Sequence, residues 1–407
     1  MLPAGTRSRG VPVRVSFWLL AVMLAACLFA ASAPSALYAV WAARFHFPPS
    51  TLTEIYAVYA FGALVALLIT GRLSDHIGRR RVVVIALVIQ VAGVLSFVAA
   101  RGVGELFIGR TLQGIGTGVA SGAISAWLLD LQPRDDQRRG GLVGGIAPIA
   151  GLGTGALVAG LLVEYGPDPQ HLVFSLLAGF FALALVVAFA IPDVAPPRAG
   201  WLRSLRPELG VPPAARGAFI ASVPSIVAIW ALGGLYLSLG PSLATSLLDS
   251  DSRVAGGAVV AALLGTGAVA SAVVASRDAR TVVKRASLLL IVGVAVTLVA
   301  VAVRSPAFLY AGSVLAGLGH GPAFSALFRS LAPLAPADKR GGLVAAIYVV
   351  LYLSFSIPAI VAGVAVGAFG LRDTTYAYGA AVIALAAVTI LAGSHGERRA
   401  AIPRPGT

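Results

Sequence analysis

The 407-residue chain contains no asparagine and one cysteine, and only 11% of its residues are charged. Soluble globular proteins carry about 25% Asp, Glu, Lys and Arg, so the shortage of charge points to lipid as the solvent. Cys27 can form no internal disulfide and has no neighbours with metal-ligand spacing, so it reads as an inert core residue. No Gly-x-x-x-x-Gly-Lys-Ser/Thr loop is present to cradle phosphates, and no clustered nucleophile or metal ligands suggest an enzyme or call for a cofactor. With Gln90 and Gln113 as the only glutamines inside apolar runs, side-chain amides for sugar hydroxyls are scarce, which disfavours a sugar permease. Deep carboxylates, which a cation pump would want, are missing too. Glu54 comes nearest, about one turn inside the far end of the second apolar run; it either lies in the membrane, faces solvent or caps its helix.

Apolar residues make up 58% of the chain. They gather in runs at about 15–42, 51–73, 81–100, 104–131, 141–163, 171–191, 215–247, 254–276, 284–303, 306–331, 341–369 and 374–393. A hydrocarbon core of about 30 Å needs roughly 20 such residues per helix. The fold class expected is therefore an all-α membrane protein of twelve transmembrane helices. "LAAC" near the start looks like a lipoprotein cleavage box, but the apolar run continues to about Trp41, long enough to span. A net charge of +14 would suggest nucleic acid in a soluble protein. Here the basic residues sit in the breaks, so the charge reports topology and a lipid bilayer partner, with no nucleic acid. With the N-terminus inside, Arg7, Arg9, Arg72, Arg79, Arg80, Arg81, Arg134, Arg138, Arg139, Arg198, Arg277, Arg280 and Arg404 fall on one side, while Arg44, Arg101, Arg253, Arg304 and Arg372 fall on the other. Basic residues favour the cytoplasmic side. Both termini are expected there, in a multi-pass protein of the cell's inner or plasma membrane.

Residues 192–214, rich in Pro and Arg, separate an N-terminal six-helix half (1–191) from a C-terminal one (215–407). Within this linker "WLRSLRPEL" is either a short amphipathic helix on the inner leaflet or irregular chain. The halves repeat: "RRGGLVGGI" opens the fifth run and "KRGGLVAAI" the eleventh, while "LQGIGTG" in the fourth matches "LAGLGHG" in the tenth. Parallel six-helix repeats holding a substrate near mid-membrane are one plan for secondary transporters.

"GRLSDHIGRRR", between the second and third runs, resembles the signature loop of the major facilitator superfamily through Gly71, Leu73, Ser74, Asp75, Gly78, Arg79 and Arg80, with His76 replacing the usual Arg. Physics accounts for the charges. A helix N-terminus carries roughly half a positive charge, and an aspartate there gains about 0.3–1 kcal/mol. The expected target of Asp75 is Gly341-Gly342 at the start of the eleventh helix, and Asp130 is placed to pair with Arg79. The resemblance implies that this network latches the two halves together on the cytoplasmic side while the protein faces outward. The repeat predicts a weaker mirror latch from Asp278 toward Gly140-Gly141. Ordinary positive-inside charge is the competing reading for both loops.

Arg110 and Gln113 lie on one face of the fourth helix. A buried arginine needs a polar cavity or a partner. "RTLQGIGTG" resembles the family's span-four motif, which implies proton coupling; the alternative is a structural arginine satisfied by backbone carbonyls. The glycines at 114, 116 and 118 suit close helix packing. His320, in the place Thr117 holds in the first repeat, is either a proton carrier or a packing residue. The resemblance makes helices one, four, seven and ten line the cavity, bringing Tyr38, Trp127, Trp230, Tyr236 and Phe324 beside Arg110. That lining suits neutral or weakly anionic amphipathic compounds. The fifth helix lacks the Gly-Pro-x-x-Gly-Gly of drug/proton exchangers, having Gly155-Ala156-Leu157-Val158-Ala159-Gly160. The expected function is that of a monomeric secondary transporter without a cofactor, working by alternating access in proton-coupled efflux of small amphipathic compounds. The alternatives are proton-coupled uptake of an organic acid anchored by Arg110, and a non-transporting receptor.

Overall fold

A computed structural model describes residues 11–133, 136, 139–193, 199–207, 209–248, 252–336 and 339–400. Arg7, Arg9, Arg134, Arg138, Arg198 and Arg404 of the basic set lie outside the described residues. Every regular element among the described residues is helical, as lipid demands when each backbone N–H and C=O must be satisfied within its own segment. Ten helices are long and apolar enough to cross a membrane. The last of them, Gly341–Leu391, is broken at Gly370 (φ 81°) into two spans, and the 26-residue Pro306–Leu331 brings the number to twelve.

The spans are, in order, Val13–Ser32, Pro49–Thr70, Arg79–Val98, Val103–Leu131, Arg139–Tyr165, Leu172–Ala190, Pro213–Ser238, Arg253–Val273, Ala279–Val303 and Pro306–Leu331, with the eleventh and twelfth inside Arg340–Ala400. Two are shorter than their apolar runs. The first stops at Ser32 because Pro34 has no N–H and cannot continue the ladder. The chain tightens into a 3-10 turn, Ala33–Ala36, and resumes as a short helix, Tyr38–Phe45. Span seven ends at Ser238, and Gly240-Pro241 opens a separate helix, Gly240–Leu248.

Glycines bring backbones into contact. A Cβ on Gly114 of span four would lie 2.2 Å from the Tyr59 carbonyl oxygen of span two. At the matching place in the repeat, a Cβ on Gly317 of span ten would lie 2.2 Å from the Leu263 oxygen of span eight. These glycines therefore serve packing.

The two faces of the bundle differ. At the arginine-poor face, spans five and eight close together: a Cβ on Gly160 would sit 2.7 Å from the Arg253 carbonyl oxygen. Glu164 completes that junction, accepting from Ser252 Oγ at 2.8 Å and from Val254 N–H at 2.9 Å, at the exposed start of span eight. Spans two and eleven meet at the same level, where a Cβ on Gly363 would lie 2.1 Å from Thr53 Oγ1. At the arginine-rich face a Cβ on Gly141 or Gly341 would meet nothing within 4 Å. The tight glycine contacts of spans five with eight and of two with eleven thus gather at the arginine-poor face.

Gly114→Ala is expected to lower the Tm in detergent, corresponding to about 1–3 kcal/mol of overpacking, whereas Gly141→Ala, in open space, should leave it unchanged or raise it slightly. Equal losses in both variants would contradict this packing.

Candidate functional site

The break in span one determines what Arg110 does. In an α-helix the Ala30 carbonyl would accept from residue 34, and proline has no hydrogen to give. Gln113 Nε2 donates to that oxygen at 3.1 Å. Arg110 Nη1 donates to the next carbonyl, Ala31, at 2.8 Å and to Gln113 Oε1 at 3.1 Å. The guanidinium also lies over two rings of span two, 4.5 Å from the centroid of Tyr59 and 5.5 Å from that of Tyr56, a cation–π arrangement. Arg110 and Gln113 are fully buried. Of the two readings of Arg110, its bonds here are those of the structural one, to backbone carbonyls. This group forms a buried roof over aromatic side chains of spans seven, ten and eleven.

Below the roof, Trp230 and Phe324 are partly exposed and meet edge to face at 5.1 Å. Span eleven supplies Phe355, 5.1 Å from Tyr56 and 6.1 Å from Trp230, and the partly exposed Tyr348 and Tyr352. These three were missed in the sequence; the spacing "YVVLYLSF" puts them near one helix face and was a usable signal. His320 is 1% exposed, with its ring 5.9 Å from that of Trp230. Neither of its ring nitrogens makes a well-formed hydrogen bond.

Two sequence expectations are corrected. Trp127 does not line the cavity: it is buried near the arginine-rich end of span four, where its Nε1–H donates to the Pro192 carbonyl at 3.0 Å. Tyr236 is buried among spans seven, nine and ten, with its hydroxyl 3.1 Å from both Thr297 Oγ1 and Ser313 Oγ. Tyr38 is 2% exposed and packs beside Trp41, near Arg110. Glu54 is exposed in the second turn of span two.

The signature loop forms a short helix, Leu73–Ile77, between Gly71 and Gly78. Gly78 turns the chain at φ 96°, which favours glycine. Arg79 binds the Asp75 carboxylate, Ser74 Oγ at 2.7 Å and, through Nε, Asp130 at 2.9 Å. The expected contact of Asp75 with Gly341-Gly342 is absent among the described residues, because the ends of spans two and eleven are apart; Gly341 is exposed. Arg80 binds elsewhere: its Nη2 donates to the Ile191 carbonyl at 2.6 Å, and its backbone N–H to Asp193 at 3.1 Å. His76 Nδ1 lies 3.0 Å from the Ala199 oxygen. The loop therefore holds the start of the linker, whose short helix Trp201–Ser204 exposes Trp201 and Leu202. At its other end, Gly210 N–H approaches the Gly342 oxygen at 3.4 Å. Asp278 does not reach toward span five. It caps its own helix, accepting from Thr281 N–H at 2.8 Å, and that bond holds its carboxyl below the usual carboxylate range.

The model of the Major Facilitator Superfamily matches residues 18–303. The chain belongs to that superfamily. It is 33% identical over 119 residues to an uncharacterized MFS-type transporter of Mycobacterium tuberculosis strain H37Rv, covering 28% of this chain and 17% of that protein. It is 30% identical over 151 residues to a uridine/deoxyuridine transporter of Lactococcus lactis subsp. cremoris, covering 37% of this chain and 29% of the relative. The matched stretches thus span less than a third of the length of either relative. Its fold matches the crystal structure of a POT family transporter in complex with 5-aminolevulinic acid, with TM-score 0.73, 15% identity and coverage of 96% of this chain and 98% of the other.

For this superfamily member, Asp193→Ala should free the linker from Gly78 and Arg80. Trypsin is expected to cut after Arg203 several-fold faster in the variant with Tm unchanged; equal cleavage rates would show that the clamp does not hold the linker.

Proposed function

We propose that the chain is a secondary transporter that works by alternating access, carrying small amphipathic compounds out of the cell in exchange for protons. The observation that carries this reading is the aromatic cluster of Trp230, Phe324 and Phe355, which lies beside a buried cation and one histidine. Such a lining favours amphipathic solutes. The planar nucleosides named for the Lactococcus relative are solutes of a kind that aromatic walls accommodate.

In this reading the arginine-rich face is cytoplasmic, with both termini on that side of the inner or plasma membrane. The halves 1–191 and 215–407 rock about the linker 192–214, and one monomer suffices. The tight glycine contacts at the arginine-poor face fit an inward-facing state. When the protein turns outward, the Asp75–Arg79–Asp130 group meets the bare backbone at Gly341-Gly342, where the helix N-terminus attracts the aspartate. Glu164 plays the opposite part, favouring the inward state by capping span eight. His320 is the coupling group, since it is the titratable side chain beside the cavity with an ordinary pKa closest to neutrality.

Purified protein in liposomes with a pH-sensitive dye inside tests the reading against a mixed panel of lipophilic compounds and organic acids. Particular compounds should drive proton movement, and His320→Gln should abolish that movement while preserving exchange of labelled substrate. Asp75→Asn should reduce both by at least about tenfold without loss of folded protein. Substrate exchange without proton movement in the wild type would reduce the protein to a uniporter, and ligand binding with no flux would make it a receptor.

A further inference from the structure

The roof gathers buried donors with unmet hydrogen-bonding capacity. Nε of Arg110 and the hydroxyls of Tyr38, Tyr56 and Tyr59 are buried with no well-formed hydrogen bond among the described residues, the Tyr59 hydroxyl lying beside Thr117. All four side chains are 4% exposed or less. They stand together: the guanidinium lies over the Tyr56 and Tyr59 rings, and the Tyr38 hydroxyl is within electrostatic reach of both Arg110 and Tyr56. Arginine cannot shed its proton to escape burial. Its two acceptors, the Ala31 carbonyl and Gln113, are neutral, and no carboxylate among the described residues pairs with it. A buried cation with spare donors and no counterion is complementary to an anion.

The surroundings define the rest of the ligand. From Tyr56 the aromatic surface runs to Phe355 at 5.1 Å, then to Trp230 at 6.1 Å, and on to the partly exposed Phe324. An apolar or aromatic tail of a few carbons fits that path, with its charged end at the roof.

We propose that Arg110, with Tyr56 and Tyr59, is the headgroup site for a carboxylate, and that the transported compounds are monocarboxylates with an apolar or aromatic tail lying along Phe355 and Trp230. The proposal rests on the transporter reading and sharpens it from amphipathic compounds in general to amphipathic anions. The substrate carboxylate supplies the missing counterion and accepts from Arg110 Nε and the tyrosine hydroxyls. An amine of the same shape meets a like charge, while an amide or ester brings no counter-charge.

Binding to the full chain in nanodiscs at pH 7 tests this with four probes of one shape: hydrocinnamate, its primary amide, its methyl ester and 3-phenylpropylamine. Hydrocinnamate is expected to bind at least about tenfold tighter than the amide or the ester, and the amine not to bind. Tyr56→Phe, which removes one hydroxyl and keeps the ring over Arg110, should weaken hydrocinnamate about tenfold and leave the Tm unchanged. Arg110→Ala is avoided because it would also uncap span one. Equal binding of amide, ester or amine, no binding of any probe, or an unaltered affinity in Tyr56→Phe would overturn the proposal. Because binding is read without transport, neutral compounds that drive flux in liposomes while the acid fails to bind would refute the anion site alone. Acid binding with no flux of any compound would instead refute the transporter reading.

Discussion

Two orphaned carbonyls in span one organise the upper half of this molecule. Pro34 removes the donor that Ala30 would have used, and the 3-10 turn leaves the Ala31 oxygen to be met from outside the helix. A buried carbonyl left unpaired costs about 1–3 kcal/mol, more pressing still in lipid. Gln113 and Arg110 of span four answer both. Placing a guanidinium there creates the next demand, which the rings of Tyr56 and Tyr59 from span two partly meet. Spans one, two and four are bound by this chain of requirements, and Gly114 allows the close approach of spans two and four that it needs. The charge left over is what makes the roof a candidate anion site.

The charged surface loops are governed by a different constraint. At the arginine-rich face, Arg79 gathers Asp75 and Asp130 while Arg80 and Gly78 hold the chain at Ile191–Asp193, so the loop between spans two and three is tied to the linker as well as to span four. The linker in turn touches Gly342. A rocking motion of the two halves would therefore pull on a continuous line from the signature loop to span eleven. At the opposite face, the Glu164 cap on span eight is exposed to solvent. Its contribution is accordingly modest, as a reversible closure requires.

Much of this was legible beforehand. Run lengths located all twelve spans, and the pairing of Arg79 with Asp130 followed from charge and position. Pro34 carried the signal for the break in span one, but inside a continuous apolar run it was read as part of one helix. The aromatic assignments fared unevenly because these helices are apolar on every side, and such a helix has no pattern to say which face meets a cavity. Trp127 and Tyr236 turned inward for the same reason: a buried indole N–H or phenol needs an acceptor, which Pro192, Thr297 and Ser313 supply. Which of those partners is nearest depends on tertiary packing. Glu164 escaped notice because its partner is a helix start 88 residues away.

The central claim is that the bundle alternates between opening at its arginine-rich face and opening at its arginine-poor face. Spin labels introduced by Leu142→Cys with Gly341→Cys report on the arginine-rich face, and by Arg101→Cys with Arg372→Cys on the other, both in a Cys27→Ser background. In nanodiscs with and without hydrocinnamate, the two distance distributions should shift in opposite senses, a shorter distance at the first face accompanying a longer one at the second. Distributions that stay fixed, or that lengthen together, would contradict alternating access.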